Sequence, residues 1–238
     1  MSISRLTFTC ILFALLLGRA PAQTADSTYP PEPPNAEEQG GILLRFKLTK
    51  ALRYRSETTG ARSLDSEEIR YMPTHNPDIF IRKATRTTEE LDPRGRIVQI
   101  TSTATATNQT SRAVEDTGMF PETPVKTGDT WNQRITNKAT TQNSGETRKW
   151  KLTGFATVRS HRCAVLEYDF QMSHRWESTT ATSSTERTGK TVVYFDYHLG
   201  GLVQQQSSQT MEIKTLLTKS RREFSHKNQT QTIITLVE

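Results

Sequence analysis

Apolar and polar residues alternate along most of the chain, most regularly in Arg148–Trp176. Trp150, Leu152, Gly154, Ala156 and Val158 occupy every second position, and after a break Ala164, Leu166, Tyr168, Phe170 and Met172 do the same. The positions between them hold Lys149, Lys151, Thr153 and Arg159, then Glu167, Asp169, Gln171 and Ser173. A period of two marks a strand with one dry and one wet face, so this stretch predicts two strands folded back on each other. Ile42–Arg55 has the same pattern, with Leu44, Phe46, Leu48, Leu52 and Tyr54 on one side and Arg45, Lys47, Arg53 and Arg55 on the other. It predicts one long first strand.

Turn chemistry separates the remaining strands. Ile79–Leu91 and Arg96–Asn108 flank Asp92-Pro93-Arg94-Gly95, in which proline presets φ and glycine supplies the positive φ that follows. Asn143-Ser-Gly145 joins Thr130–Gln142 to the central pair, and Leu199-Gly200-Gly201 joins Thr191–Tyr197 to Leu202–Thr218. Ser178–Ser184 reads as loop or frayed strand ends, and Arg222–Val237 as a last strand. About nine strands joined by short turns predict an all-β fold: a long-stranded antiparallel meander forming a curved sheet or incomplete barrel. At most one or two short helices are expected, at Ser63–Met72 or Ser111–Asp116.

The first forty residues differ. Met1–Ala22 has Arg5, an apolar run from Phe8 to Leu17 and Ala20-Pro21-Ala22, the organisation of a cleaved secretory signal peptide. Cys10 lies inside the apolar run without the small residues that precede a lipidated cysteine, so no lipid anchor is expected. Gln23–Gly40 is proline-rich and predicts an extended tether with no core of its own, dispensable for folding. Residues 41–238 are then a single β-rich domain. The expected location is secreted or periplasmic.

Composition supports an extended, well-solvated sheet: 33% of residues are hydrophobic, mean hydropathy is −0.64 and about one residue in six is threonine. Net charge is +6, and removing Arg5 and Arg19 with the leader leaves +4. Arg45, Lys47, Arg53 and Arg55 share a strand face, and Lys219, Arg221, Arg222 and Lys227 cluster near the end. If the two groups meet they would attract an anionic envelope polymer or membrane surface; otherwise they guard exposed strands. Nucleic acid is not expected, because aromatic residues do not interleave with the basic ones.

Two turns have similar wording, Leu91-Asp92-Pro93-Arg94-Gly95-Arg96-Ile97 and Phe195-Asp196-Tyr197-His198-Leu199-Gly200-Gly201-Leu202. Between them come Phe120-Pro121, Pro124-Val125-Lys126 and Gly128-Asp129-Thr130-Trp131. This combination resembles uncharacterised bacterial secreted proteins and lipoproteins of the domain-of-unknown-function type, and more distantly the half-barrel of periplasmic lipoprotein carriers. The resemblance implies a curved antiparallel sheet with an apolar ligand on its concave face. It implies no catalytic residues.

Candidate chemistry is sparse. His75, His161, His174, His198 and His226 make no pair at metal-ligand spacing, and there is no phosphate-binding glycine loop or nucleophile elbow, so neither metal nor cofactor is expected. Cys163, the one cysteine after the leader, has His161 two positions away; a thiol nucleophile competes there with plain strand neighbours. Asp92 and Asp196 could form a carboxylate pair, but each opens a turn where aspartate ordinarily caps backbone N–H groups. Trp150, Tyr168, Phe170, Met172 and Trp176 form one apolar face, able either to line a pocket for a lipid or other amphipathic small molecule or to be ordinary core. The sequence therefore suggests a non-enzymatic envelope protein with a ligand in a curved sheet. A module docking an anionic polymer or protein partner, with peripheral membrane contact, is the alternative.

Overall fold

The computed structural model describes residues 29–60, 64–105, 108–137, 144–177, 179, 181–217 and 221–237. The expected signal peptide, Met1–Ala22, lies outside the described residues. Among the described residues, one short helix, α1 (Ala36–Gly40), precedes twelve strands. They are β1 (Leu52–Gly60), β2 (Leu64–Pro73), β3 (Phe80–Lys83), β4 (Thr87–Leu91), β5 (Ile97–Thr105) and β6 (Asn108–Asp116), followed by β7 (Thr130–Asn137), β8 (Ser144–Val158), β9 (His161–Glu177), β10 (Ala181–Asp196), β11 (Gly201–Leu217) and β12 (Arg222–Leu236).

Each strand pairs antiparallel with the next, and β1 also pairs with β12, with Tyr54 opposite Leu236 and Gly60 opposite Thr230. The expected antiparallel meander is present, and it curls until its first and last strands pair into a barrel. Closure removes the two edges that an open meander would expose. The two segments expected to hold helices are wall strands: Leu64–Pro73 is β2, whose Ile69 and Tyr71 are buried, and Asn108–Asp116 is β6.

The central hairpin is β8–β9, with Trp150 opposite Tyr168 and Leu152 opposite Leu166. The expected alternation fails at one point. A bulge between Leu152 and Gly154 shifts the register, and an extra residue in a strand reverses every side chain beyond it. Phe155 therefore joins the interior core, while Ala156 and Val158 turn outward into a second apolar cluster with Cys163, Val165, Val192, Tyr194 and Val203.

The expected long first strand is two things. Leu52–Gly60 is β1, and a bend at Thr49–Lys50 precedes it. Ile42–Leu48 keeps its alternation, burying Ile42, Leu44, Phe46 and Leu48, but joins no ladder. It crosses one end of the barrel as a plug. Its backbone is held by the loops at that end: Ile42 exchanges two hydrogen bonds with Val125 (2.9 Å each), Phe46 N–H donates to Pro93 O (2.8 Å) and Lys47 N–H to Gly200 O (3.1 Å). The two similarly worded turns are the plug's seats. Both turn glycines have positive φ, and a Cβ on Gly95 would lie 2.9 Å from the Phe46 ring and one on Gly200 2.5 Å from the Lys47 backbone.

Residues 29–40 are not a tether without a place in the fold. Asn35 caps α1 in a capping box with Glu38, and Glu32 N–H donates to Phe155 O (2.8 Å) where β8 runs on past β7. Tyr29 packs edge-on against Tyr194 (5.1 Å between centroids) over the outer apolar cluster. Glu38 is buried, yet its carboxylate accepts from Arg162 Nε and Nη2 (2.8 Å each), Tyr197 OH (2.7 Å) and Asn35 N–H (2.7 Å). Arg162 also pairs with Glu32 and donates to Pro33 O. Prolines stiffen this arm, and the guanidinium clasp supplies what its composition lacks in apolar contact.

Candidate functional site in the barrel interior

The two halves of the barrel differ in what their inward positions carry. Toward the plugged end, β10 is fully buried from Thr191 to Asp196 and β11 from Gly201 to Gln204. Phe46, Phe120, Phe195, Tyr54, Tyr71, Trp150, Leu152 and Leu166 fill that end. Toward the other end nearly every residue of β10 and β11 is half-buried or exposed. Both faces of the wall meet water there.

Between the halves lies a chamber of about 150 Å³ lined by Phe46, Tyr71, Arg82, Glu89, Gln133, Arg148, Trp150, Tyr168 and Gln205, among others. Arg82 Nη1 donates to Glu89 Oε2 (2.8 Å) across the β3–β4 ladder. Arg148 Nε donates to Glu146 Oε1 (2.6 Å), and its guanidinium sits 5.3 Å from the Tyr168 ring centroid. Although they point inward, the Arg82 and Arg148 side chains are 29% and 23% exposed, so water reaches the chamber. Both guanidiniums stay charged, and each keeps N–H groups that no described residue accepts. Burial pushes the Tyr71 phenol above its ordinary pKa, so it is a neutral group at the chamber wall.

One wall is fixed by a polar relay. Trp150 Nε1 donates to Gln133 Oε1 (3.1 Å), and Gln133 Nε2 donates to Asp116 (2.9 and 3.0 Å). Asp116 also accepts from the Ile97 and Gly118 N–H groups (2.9 Å each). Gln133 is buried with both ends of its amide bonded, as a polar group inside a core must be.

Of the predicted ligand face, Trp150 and Tyr168 are core, 1% and 9% exposed. Their rings lie 4.2 Å apart, and Trp131 stacks on Trp150 at 6.2 Å and 4°. Phe170 is partly buried against this core and Met172 is half-buried one step farther out on the same face. Trp176 belongs to β9, opposite Ser183, and its side chain lies outside the described residues. The ladders carry the same inward face onto β11 and β12: Met172 is opposite Arg187, Arg187 opposite Met211, Ile213 opposite His226 and Thr215 opposite Phe224. Met211 and Ile213 are half-buried and Phe224 is 55% exposed. Accessible apolar side chains thus recur in the open half of the lumen, starting at Phe170 opposite Arg148, with Arg187, Thr185, Asn228 and His226 between them.

Sequence reasoning missed Arg82, Glu89, Gln133, Glu146 and Arg148 as interior residues. The available signal was their phase: Arg148 and Glu146 share parity with Trp150, and Arg82 with Phe80, so each charge falls on an apolar face.

The basic groups do not make one patch. Arg45 donates to Leu44 O and Pro121 O (2.6 Å each) and Glu122 O (2.9 Å), holding a loop, and Lys47 lies exposed on the plug. Arg53 and Arg55 are exposed on β1, where Arg55 faces Glu68. Arg221 and Arg222 lie at the far end of β12, about 50 Å along the strand from Val237, whose N–H donates to Arg53 O, and Lys227 lies about 33 Å from it. Lys219 is outside the described residues.

Cys163 is buried in the outer cluster, and its thiol donates to His161 O (3.4 Å). Burial, then the Asp196 carboxylate, pushes its pKa up to about 12, the opposite of what a nucleophile needs. In the folded chain from Gln23 onward, Cys163 should resist a disulfide-exchange reagent and react fully in denaturant; rapid labelling of native protein would contradict its burial. His161 Nδ1 lies 2.8 Å from Asp196 Oδ2, a pairing sequence reasoning did not foresee. Asp196 Oδ1 accepts from the His198 and Leu199 N–H groups, and Asp92 Oδ1 from those of Arg94 and Arg96, so both are turn caps.

Among the described residues no group of three His, Cys, Asp or Glu side chains is placed to hold a metal ion, and no helix is long and apolar enough to cross a membrane. The outward positions of β8–β11 away from the outer apolar cluster include Lys149, Lys151, Glu167, Asp169, Glu212 and Lys214.

No family model matches the chain, and no curated protein does. Among solved structures, the hypothetical lipoprotein YmcC from Escherichia coli (K12) is similar at a TM-score of 0.39 and 10% identity, over 80% of this chain and 85% of that one, a distance at which no ligand or activity transfers.

Proposed function

We propose that this protein is a non-enzymatic binding protein of the secreted or periplasmic space, and that it holds an amphipathic ligand with an anionic head in the open half of its barrel. The observation that supports this best is the set of apolar side chains left accessible among polar ones on the inward wall, Phe170, Met172, Met211, Ile213 and Phe224, which begins opposite Arg148, one of two guanidiniums with unused N–H groups. Folding alone favours burying such side chains; a ligand's alkyl chain would cover them, and methionines adapt to chains of different shape. The plugged half is already full, so the ligand's tail is expected in the open half and its head against Arg82 and Arg148.

The chamber alone is smaller than the roughly 300–1,000 Å³ of ordinary ligand pockets, which restricts it to a headgroup. Binding of a lysophosphatidylglycerol probe, followed by calorimetry below its critical micelle concentration, is expected at one molecule per chain. Arg148→Gln should weaken it about tenfold, the effect of one charged hydrogen bond, while a lyso-lipid lacking net charge should bind wild type and variant alike. Failure of both probes to bind would refute the proposal; equal weakening of both would refute the placement of the head.

A further inference from the structure

The barrel closes, yet some strands overshoot a neighbour, β8 past β7 and β12 past β1 among them. β12 pairs with β11 along Arg222–Thr235 but with β1 only from Thr230 onward. Arg222–Gln229 therefore has a hydrogen-bonding neighbour on one side only among the described residues, and all of it but half-buried Asn228 is exposed. Half the backbone N–H and C=O groups of such a segment point away from the sheet, ready to pair with another strand.

We propose that a second copy of this chain occupies this edge, β12 against β12 in antiparallel register about a two-fold axis midway between the two Ser225 residues. Charge selects this partner and this register. With Ser225 opposite itself, Glu223 faces Lys227 of the second copy and Lys227 faces its Glu223, two attractive pairs on the outer face. On the inner face Phe224 meets His226 of the second copy, covering a phenyl ring that is otherwise 55% exposed. The segment is mostly basic, with Glu223 as the one acidic residue among Arg221, Arg222 and Lys227, and this register is the one that places each Glu223 opposite a Lys227. An axis perpendicular to the sheet keeps outer face with outer face, so the interface is isologous and closed at two copies. It would join the open halves of two barrels along one continuous wall.

The test is sedimentation equilibrium of the chain from Gln23 onward, with circular dichroism to confirm that each variant keeps its sheet. Wild type is expected at twice the chain mass. Glu223→Lys or Lys227→Glu alone places like charges opposite each other and should give the single-chain mass, whereas the two together restore opposite pairs and should restore the dimer. Ser225→Cys should cross-link under mild oxidation, because facing residues of an antiparallel pair lie about 4.5–5.5 Å apart at Cα, within disulfide reach, and Cys163 is shielded. A single-chain mass for wild type at the highest attainable concentration would overturn the proposal. So would a dimer that both single charge changes leave intact, which would put the interface elsewhere. The substitutions lie away from Arg82 and Arg148, so this result is independent of whether the lumen binds lipid.

Discussion

Arg162→Met should lower stability by about 3–5 kcal/mol, the usual loss when one member of a buried ion pair is removed. The cause is the carboxylate left behind. Glu38 has no exposed side-chain surface, and Arg162 supplies two of the hydrogen bonds that make its charge tolerable there. Burial raises the Glu38 pKa, but the bonds from Arg162, Tyr197 and the Asn35 N–H outweigh it and hold the carboxyl below its ordinary range. A folded-state pKa below the unfolded one means that wild type has this stabilisation above the ordinary carboxylate pKa and loses it as pH falls through the depressed value. Without Arg162 burial is left opposed only by Tyr197 and Asn35. If burial then prevails, Glu38 takes up a proton on folding, and its share of the pH dependence changes sign, with stability rising as pH falls through the acid range. Urea melts of wild type and Arg162→Met at several pH values would show this. Similar midpoints and slopes in both would mean that the arm contributes nothing to the barrel.

Phe46→Ala should also cost about 3–5 kcal/mol, through a cavity in the plugged end rather than an unpaired charge. The Phe46 ring lies 5.3 Å from Phe120, 5.5 Å from Phe195 and 5.9 Å from Tyr71, and it borders the chamber. Its removal would join the void to the chamber, and the backbone seats at Pro93 and Gly200 would prevent the plug from collapsing inward. Thermal unfolding is the measurement. A loss below 1 kcal/mol would show that Ile42–Leu48 drapes over the barrel without filling it.

Much of the wall was legible in the sequence because period-two alternation is a local property. β9 and the start of β1 read correctly from their own residues, and Asp92-Pro93-Arg94-Gly95 and Leu199-Gly200-Gly201 announced their turns. Alternation says which face is dry without saying what dries it. Ile42–Leu48 looks like a strand because its side chains are buried on one side, yet its backbone bonds go to loops rather than to a ladder. β8 changes phase at Gly154, and nothing in the local pattern distinguishes an inward Ala156 from an outward one beneath Tyr29. The proline-rich arm looks unable to fold because its anchors, the buried Glu38–Arg162 pair foremost, are contacts across more than a hundred positions in the chain.

The candidate site divides the same way. Trp150, Tyr168, Phe170 and Met172 declared themselves as one apolar face through spacing alone, whereas the charges that meet beside them come from β3, β4 and β8. Arg82 and Arg148 are 66 residues apart and share a chamber only because the meander bends round until its first and last strands pair. The order of side chains along each strand, and thus its wet and dry faces, follows from covalent sequence and backbone pleat. Closure, the plug, the docked arm and the facing guanidiniums depend on which distant segments meet, a choice made by the free energy of the whole barrel and written in no single stretch of it.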